Sequence, residues 1–156
     1  MAKHGAPQLQ VDATGLNDAI IAGSWHPTVM NGLIDGAQTS LQASGATHDL
    51  ITVAGSFEIP LAAQAALTNG YDAVICLGVI IRGDTPHFDF VADAVTSGLT
   101  RVQLDAGKPV GFGILTVDDD AQALDRAGLA DSTESKGQEA AEAALQLAVT
   151  VRQLAE

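Results

Sequence analysis

The chain has 156 residues and a formal net charge of −12, which weighs against nucleic acid or an anionic membrane as partner, since both need dense cationic patches. It is 47% hydrophobic but only 4% aromatic, so a single core must be built from Ala, Val, Ile and Leu, and layered α/β packing is favoured. Cys76 is the only cysteine, which excludes a disulfide framework or a cysteine metal site within the chain and reads as a small buried hydrophobe.

Residues 1–16 carry Gly5, Pro7 and Gly15 without sustained periodicity, so an arm outside the core is expected there, followed by one domain over 17–156. No signal-type apolar stretch opens the sequence and no apolar run approaches about 18 residues, so a soluble cytoplasmic protein is expected. Asn17 to Gly23 is a short apolar run closed by glycine, which predicts a buried strand. After Ser24-Trp25-His26-Pro27, residues Met30, Leu33, Ile34, Ala37 and Leu41 recur at three and four, one face of a helix that ends near Gly45. His48 to Ala54 predicts a second strand, and Phe57 to Leu67 a second helix, with Pro60 tolerable only in its first turn.

Ala73 to Ile81 is the most hydrophobic strand, and His87 to Leu104 the helix that follows it. Val110 to Val117 predicts a fourth strand, broken by Gly111 and Gly113. Asp118 to Ala127 reads as a short helix with acidic residues in its first turn and Gly128 as its stop. Ser135 to Leu154 is a long helix with Ser135 and Gln138 at capping-box spacing and a stripe of Ala141, Ala144, Leu145, Ala148 and Val151. This alternation predicts a four-stranded parallel sheet covered on both faces, because parallel neighbours need crossover connections. Ligands collect beyond the carboxyl ends of such strands. The turns expected there are Ser24-Trp25-His26, Gly55 to Glu58, Gly83 to His87, and the segment after Thr116.

There is no Walker lysine loop, no dinucleotide fingerprint after the first strand, no nucleophile elbow and no metal-ligand spacing. The turn before His87 is more informative. Thr85 suits an N-cap and Pro86 the first helical position, so the free amides of that helix form a seat for phosphate. His87 then falls at the second helical position, where the positive end of the macrodipole favours a neutral imidazole able to act as a base. The bland alternative is a histidine that only bonds backbone.

Trp25, at a strand's carboxyl end, is placed to stack on a heterocycle or else to pack in the core. Glu58 can accept from ligand hydroxyls or stand exposed in a first turn. His26 is a weaker ligand candidate, and His4 and His48 read as solvated. Arg126 and Lys136 flank the last loop and, on spacing alone, are solvated charges.

Gly55-Ser56-Phe57-Glu58-Ile59-Pro60, the run Gly78 to Val91, Gly113-Ile114-Leu115-Thr116, Asp125-Arg126-Ala127-Gly128 and Lys136-Gly137 occur together in this order. In order and spacing they closely resemble the 6,7-dimethyl-8-ribityllumazine synthase family, from about Asn17 to the C-terminus. The resemblance implies a flavodoxin-like three-layer sandwich and the penultimate step of riboflavin synthesis, in which 5-amino-6-(D-ribitylamino)uracil condenses with 3,4-dihydroxy-2-butanone 4-phosphate. It implies no cofactor and no metal.

By the same resemblance, Trp25 stacks on the pyrimidine, Ser56, Phe57 and Glu58 hold the uracil and ribityl chain, and Val79, Ile80 and Ile81 line the pocket. Gly83, Asp84 and Thr85 sit at the butanone phosphate, and His87 transfers protons. Phe112 and Arg126 match positions contributed by a neighbouring subunit of a homopentamer, with Arg126 on the phosphate and Lys136 as a second nearby cation. The arm would dock on a neighbour's sheet, and a riboflavin synthase is a candidate partner.

Two features depart from the family pattern. Asp84 stands where glutamate or a neutral residue is often found, and Leu129 to Ser135 makes a longer link than in members that build icosahedral shells, which suggests free pentamers. The alternatives are a flavin or lumazine carrier without turnover on the same fold and, more remotely, a structural shell protein.

Overall fold

Each predicted apolar run becomes a strand, because β-branched side chains with helices on both sides are buried on both faces. The computed structural model describes residues 5–7 and 9–156; His4 lies outside the described residues. The order is β1 (Asn17–Gly23), α1 (Pro27–Ser44), β2 (Thr47–Val53), a 3-10 turn (Ser56–Glu58), α2 (Ile59–Thr68), β3 (Ala73–Ile81), α3 (His87–Ala106), β4 (Val110–Val117), α4 (Asp120–Asp125) and α5 (Lys136–Leu154). All pairings are parallel and the strand order is β2-β1-β3-β4. Helices α1 and α5 cover one face, and α2 and α3 the other, each over its own apolar cluster. This is the expected three-layer α/β sandwich.

The chain winds outward from β1 to β2, then returns to the other side of β1 for β3 and β4. The crevice at that reversal, beyond the carboxyl ends of β1 and β3, is where open α/β sheets hold ligands. β3 is buried from Ala73 to Ile80, whereas β2, at the sheet edge, is half exposed and leaves Leu50 at the surface. Among the described residues, no helix is long and apolar enough to cross a membrane.

Several local expectations change. Ala13 and Leu16, in the expected arm, are buried in the α1/α5 cluster, and the Ala13 amide donates to Ser44 O at 2.8 Å. β4 is continuous through its glycines. A Cβ on Gly111 would meet Ala140 O at 2.6 Å, and one on Gly113 would meet Leu77 Cδ2 at 2.5 Å, so these glycines allow α5 and β3 to approach closely and do not break the strand.

The capping box at α5 is not formed. The Ser135 side chain makes no cap, and Gln138 Nε2 donates to Glu142 Oε1 at 2.9 Å instead. The α5 stripe ends at Ala148, and Val151 is exposed. α4 starts at Asp120, with the Asp119 carboxylate capping it by accepting from Gln122 N at 2.8 Å.

Candidate active site

A cavity of about 690 Å³ opens at the strand reversal, lined by residues that follow β1, β2 and β3. From the end of β1, His26 takes a left-handed conformation (φ 57) and turns the chain into Pro27 of α1. Non-glycine residues rarely adopt this conformation, and where they do it often marks a functional turn. The turn leaves the Trp25 ring 67% exposed over the backbone of the next crossover. A Cβ on Gly55 would meet Trp25 Cδ1 and Nε1 at 3.0 Å, so the bare glycine is what lets the indole lie flat there.

After β2, the 3-10 turn presents Ser56, Phe57 and Glu58. Glu58 Oε2 accepts from the Gly55 amide at 3.0 Å, which fixes one carboxylate oxygen and leaves the other for a further donor. Ser56 is buried against β3, where a Cβ on Gly78 would lie 2.5 Å from its hydroxyl. Phe57 is 64% exposed. Two neighbouring exposed aromatic rings on a concave surface are costly unless a ligand or partner covers them.

Val79, Ile80 and Ile81, at the carboxyl end of β3, form the cavity floor, and Gly83, Thr85 and His87 one wall. α3 begins one residue later than the Thr85/Pro86 pattern predicts. Pro86 is its N-cap, its carbonyl accepts from Asp89 N at 3.0 Å, and Thr85 Oγ1 accepts a long bond of 3.4 Å from His87 N. His87 is thus the first helical residue, exposed and on the cavity wall.

Arg82 ties this corner together. Its Nε lies 3.0 Å from Asp118 and its Nη1 3.5 Å from Asp89, while its guanidinium carbon sits 4.4 Å from the Phe88 ring centre. The hydrogen bond to Asp118 is the largest of the influences that raise its pKa.

The predicted residues separate into two groups. Trp25, Ser56, Phe57, Glu58, Val79, Ile80, Ile81, Gly83, Thr85 and His87 share the one cavity. Asp84 is exposed in the same loop but is not among the lining residues, which relieves the conflict of a carboxylate beside an anion seat. Phe112, Arg126 and Lys136 lie elsewhere.

Phe112 is 39% exposed on β4, the sheet edge opposite β2. Arg126 follows α4 with its side chain 30% exposed, and its Nη1 donates to Gln122 O at 2.9 Å. Lys136 is almost fully buried, 2.9 Å from Glu134 and 3.1 Å from Glu139. Burial opposes its charge, but the two carboxylates outweigh burial and raise its pKa.

Phe88, Phe90 and Val91 also line the cavity, as does His26, which the sequence left open. Phe90 and Val91 follow His87 by three and four residues, so helical spacing from the histidine would have found them. Among the described residues, no cluster of three or more His, Cys, Asp or Glu side chains could hold a metal ion.

Residues 15–152 match the sequence profile described as 6,7-dimethyl-8-ribityllumazine synthase. The chain is 58% identical over 156 residues to a protein of that name from Leifsonia xyli subsp. xyli, covering 99% of both chains. It is 56% identical to one from Clavibacter sepedonicus, covering 97% of both, and 52% identical to one from Streptomyces avermitilis, covering 100% of this chain and 98% of that one. Profile and relatives span the strands, the cavity wall and the Arg126 loop together, and the chain belongs to the 6,7-dimethyl-8-ribityllumazine synthase family.

Proposed function

We propose that the cavity condenses 5-amino-6-(D-ribitylamino)uracil with 3,4-dihydroxy-2-butanone 4-phosphate to give 6,7-dimethyl-8-ribityllumazine, phosphate and water. The observation that carries this function is the meeting, in one cavity of a chain of this family, of an exposed indole, an anchored carboxylate and a helix start bearing His87. The aromatic amine adds to the ketone and loses water, forming an imine. A proton then leaves the adjacent carbon as the C–O bond to phosphate breaks, the resulting enol takes a proton at its terminal carbon to become a methyl ketone, and the ribityl-bearing nitrogen closes the ring on that carbonyl with loss of a second water. Atoms and electrons balance without an oxidant or reductant, so the reaction calls for no cofactor. Much of the acceleration comes from holding two reactants together.

Trp25 stacks on the pyrimidine and Phe57 borders it, while Ser56 and Glu58 receive its polar edge and the ribityl chain. Val79, Ile80 and Ile81 form the apolar floor. Gly83, Thr85 and the backbone of Asp84, whose carboxylate stays outside the cavity, seat the phosphate with the first amides of α3, and His87 moves the protons. The phosphate also needs a cation, and Arg126, outside the cavity of its own chain, supplies it from a neighbouring copy together with Phe112. A contact between unlike surfaces that closes into a ring meets this need, and the family's ring is a pentamer.

The exposed Phe57, Leu61 and Phe90 are apolar surface available to such a contact. The N-terminal arm and the exposed edge of β2 are complementary candidates for strand addition between copies. The long link from Leu129 to Ser135 fits free pentamers in the cytoplasm; light scattering that gave a shell-sized particle would contradict this. Association with a riboflavin synthase, which consumes the product, belongs to the same proposal and is tested by co-sedimentation.

Mixing the two substrates with the protein and following the fluorescence of the lumazine tests the activity. Product should appear at a rate proportional to protein. A carrier without turnover would bind added lumazine and form none.

A further inference from the structure

Arg126 does not stand alone. Its guanidinium lies beside the buried carboxylate of Glu134, to which the family resemblance gave no role. Glu134 is 8% exposed; its Oε1 lies 2.9 Å from Lys136 Nζ, and its Oε2 lies 3.8 Å from Arg126 Nε. That Oε2 is buried and has no hydrogen-bond partner. A buried carboxylate oxygen without a donor is costly, and the Nε of Arg126 stands 3.8 Å from it, less than 1 Å beyond bonding distance.

The backbone holds the two residues in register. Gly128 N donates to Glu134 O at 2.9 Å, Lys136 N donates to Arg126 O at 3.0 Å, and Ala127 and Ser135 form an antiparallel bridge. On its other side Arg126 Nη1 is bound to Gln122 O.

We propose that Glu134 is a positioning residue that aims the Arg126 guanidinium at the substrate phosphate, and that Lys136 acts through Glu134 without touching the anion. This rests on the phosphate role given to Arg126 above. Lys136 is poorly placed for direct contact, because its ammonium is almost fully buried and its charge is matched by Glu134 and Glu139. The two cations and two carboxylates cancel, so the cluster attracts an anion by direction and not by net charge. Arg126 has five N–H donors, of which Nε–H faces Glu134 and one on Nη1 is used by Gln122, so the outer edge of the fork remains for phosphate. When phosphate draws the outer edge into a fixed plane, the Nε–H closes on Glu134 Oε2.

Steady-state kinetics on the assembled enzyme test this. Arg126→Ala sets the scale, by the rise it causes in KM for the butanone phosphate. Glu134→Gln keeps the shape but removes the charge that orients Arg126, and should raise that KM about tenfold while leaving the pyrimidine KM unchanged. Glu134→Gln combined with Lys136→Met, which is balanced in charge, should cost no more than Glu134→Gln alone. A further loss in the double variant would put Lys136 directly on the phosphate and overturn its indirect role. An unchanged phosphate KM in Glu134→Gln, or an equal rise in both KM values, would overturn the positioning role. If Arg126→Ala itself left the phosphate KM unchanged, the phosphate site would fall, and this inference with it.

Discussion

The proposed function gives proton movement to His87 and anion binding to Arg126, and substitutions should separate the two. His87→Ala should lower kcat roughly tenfold to a hundredfold, at the weak end of general acid–base effects, because proximity supplies much of the rate. Arg126→Ala should act mainly on the KM for the phosphorylated substrate. Trp25 is the sole tryptophan and lies over Gly55, so intrinsic fluorescence should be quenched when lumazine binds, and Trp25→Ala should weaken pyrimidine binding about tenfold.

A residue remote from the site contributes to the pH dependence of stability. Asp18, at the start of β1, is fully buried and neither of its carboxylate oxygens has a hydrogen-bond partner. Burial, and then the nearby charge of Asp72, raise its pKa to about 7. The folded protein therefore holds this proton up to about pH 7, whereas the unfolded chain releases it near pH 4. Its contribution to stability is greatest below about pH 4, falls as pH rises to about 7, and is level above that. Asp18→Asn should raise the melting temperature at pH 8 and flatten its decline between pH 4 and 7. A parallel shift at every pH would show that the Asp18 pKa is the same in the folded and the unfolded chain.

At the scale of elements, legibility followed burial. β1, β3 and β4 fall on the predicted residues because the sheet uses each apolar run whole, in β4 straight through its two glycines. α3 starts at the expected His87 but with its cap moved from Thr85 to Pro86, and α4 starts two residues late, since Asp118 and Asp119 both carry capping chemistry and only the three-dimensional path selects between them. Gly111 and Gly113 were legible as glycines but not in their purpose, which depends on Ala140 and Leu77, distant in sequence. Gly111→Ala should therefore destabilise the fold by about 1–3 kcal/mol in denaturant titration, as overpacking does. A neutral result would mean that α5 can retreat from the sheet at little cost.

For the whole molecule, the cavity wall was readable because Gly55 to Glu58 and Gly83 to His87 are continuous stretches at strand ends, where this fold class places ligands. The buried state of Lys136 was not readable, because Glu134 and Glu139 look like solvated helix-start charges until the fold closes both onto the Lys136 ammonium. Arg126 and Phe112 stand outside the cavity of their own chain, and the proposed ring of copies would give their position a purpose. An isolated subunit should be nearly inactive, so specific activity should fall on dilution below the concentration at which the ring dissociates.

Co-expressing His87→Ala chains with Arg126→Ala chains puts this sharing to the most direct trial. At low butanone phosphate, each variant alone should be impaired. Mixed rings should regain activity, because some sites then pair an intact His87 from one copy with an intact Arg126 from the next. Activity no greater than the sum of the two separate variants would show that each chain builds its site alone.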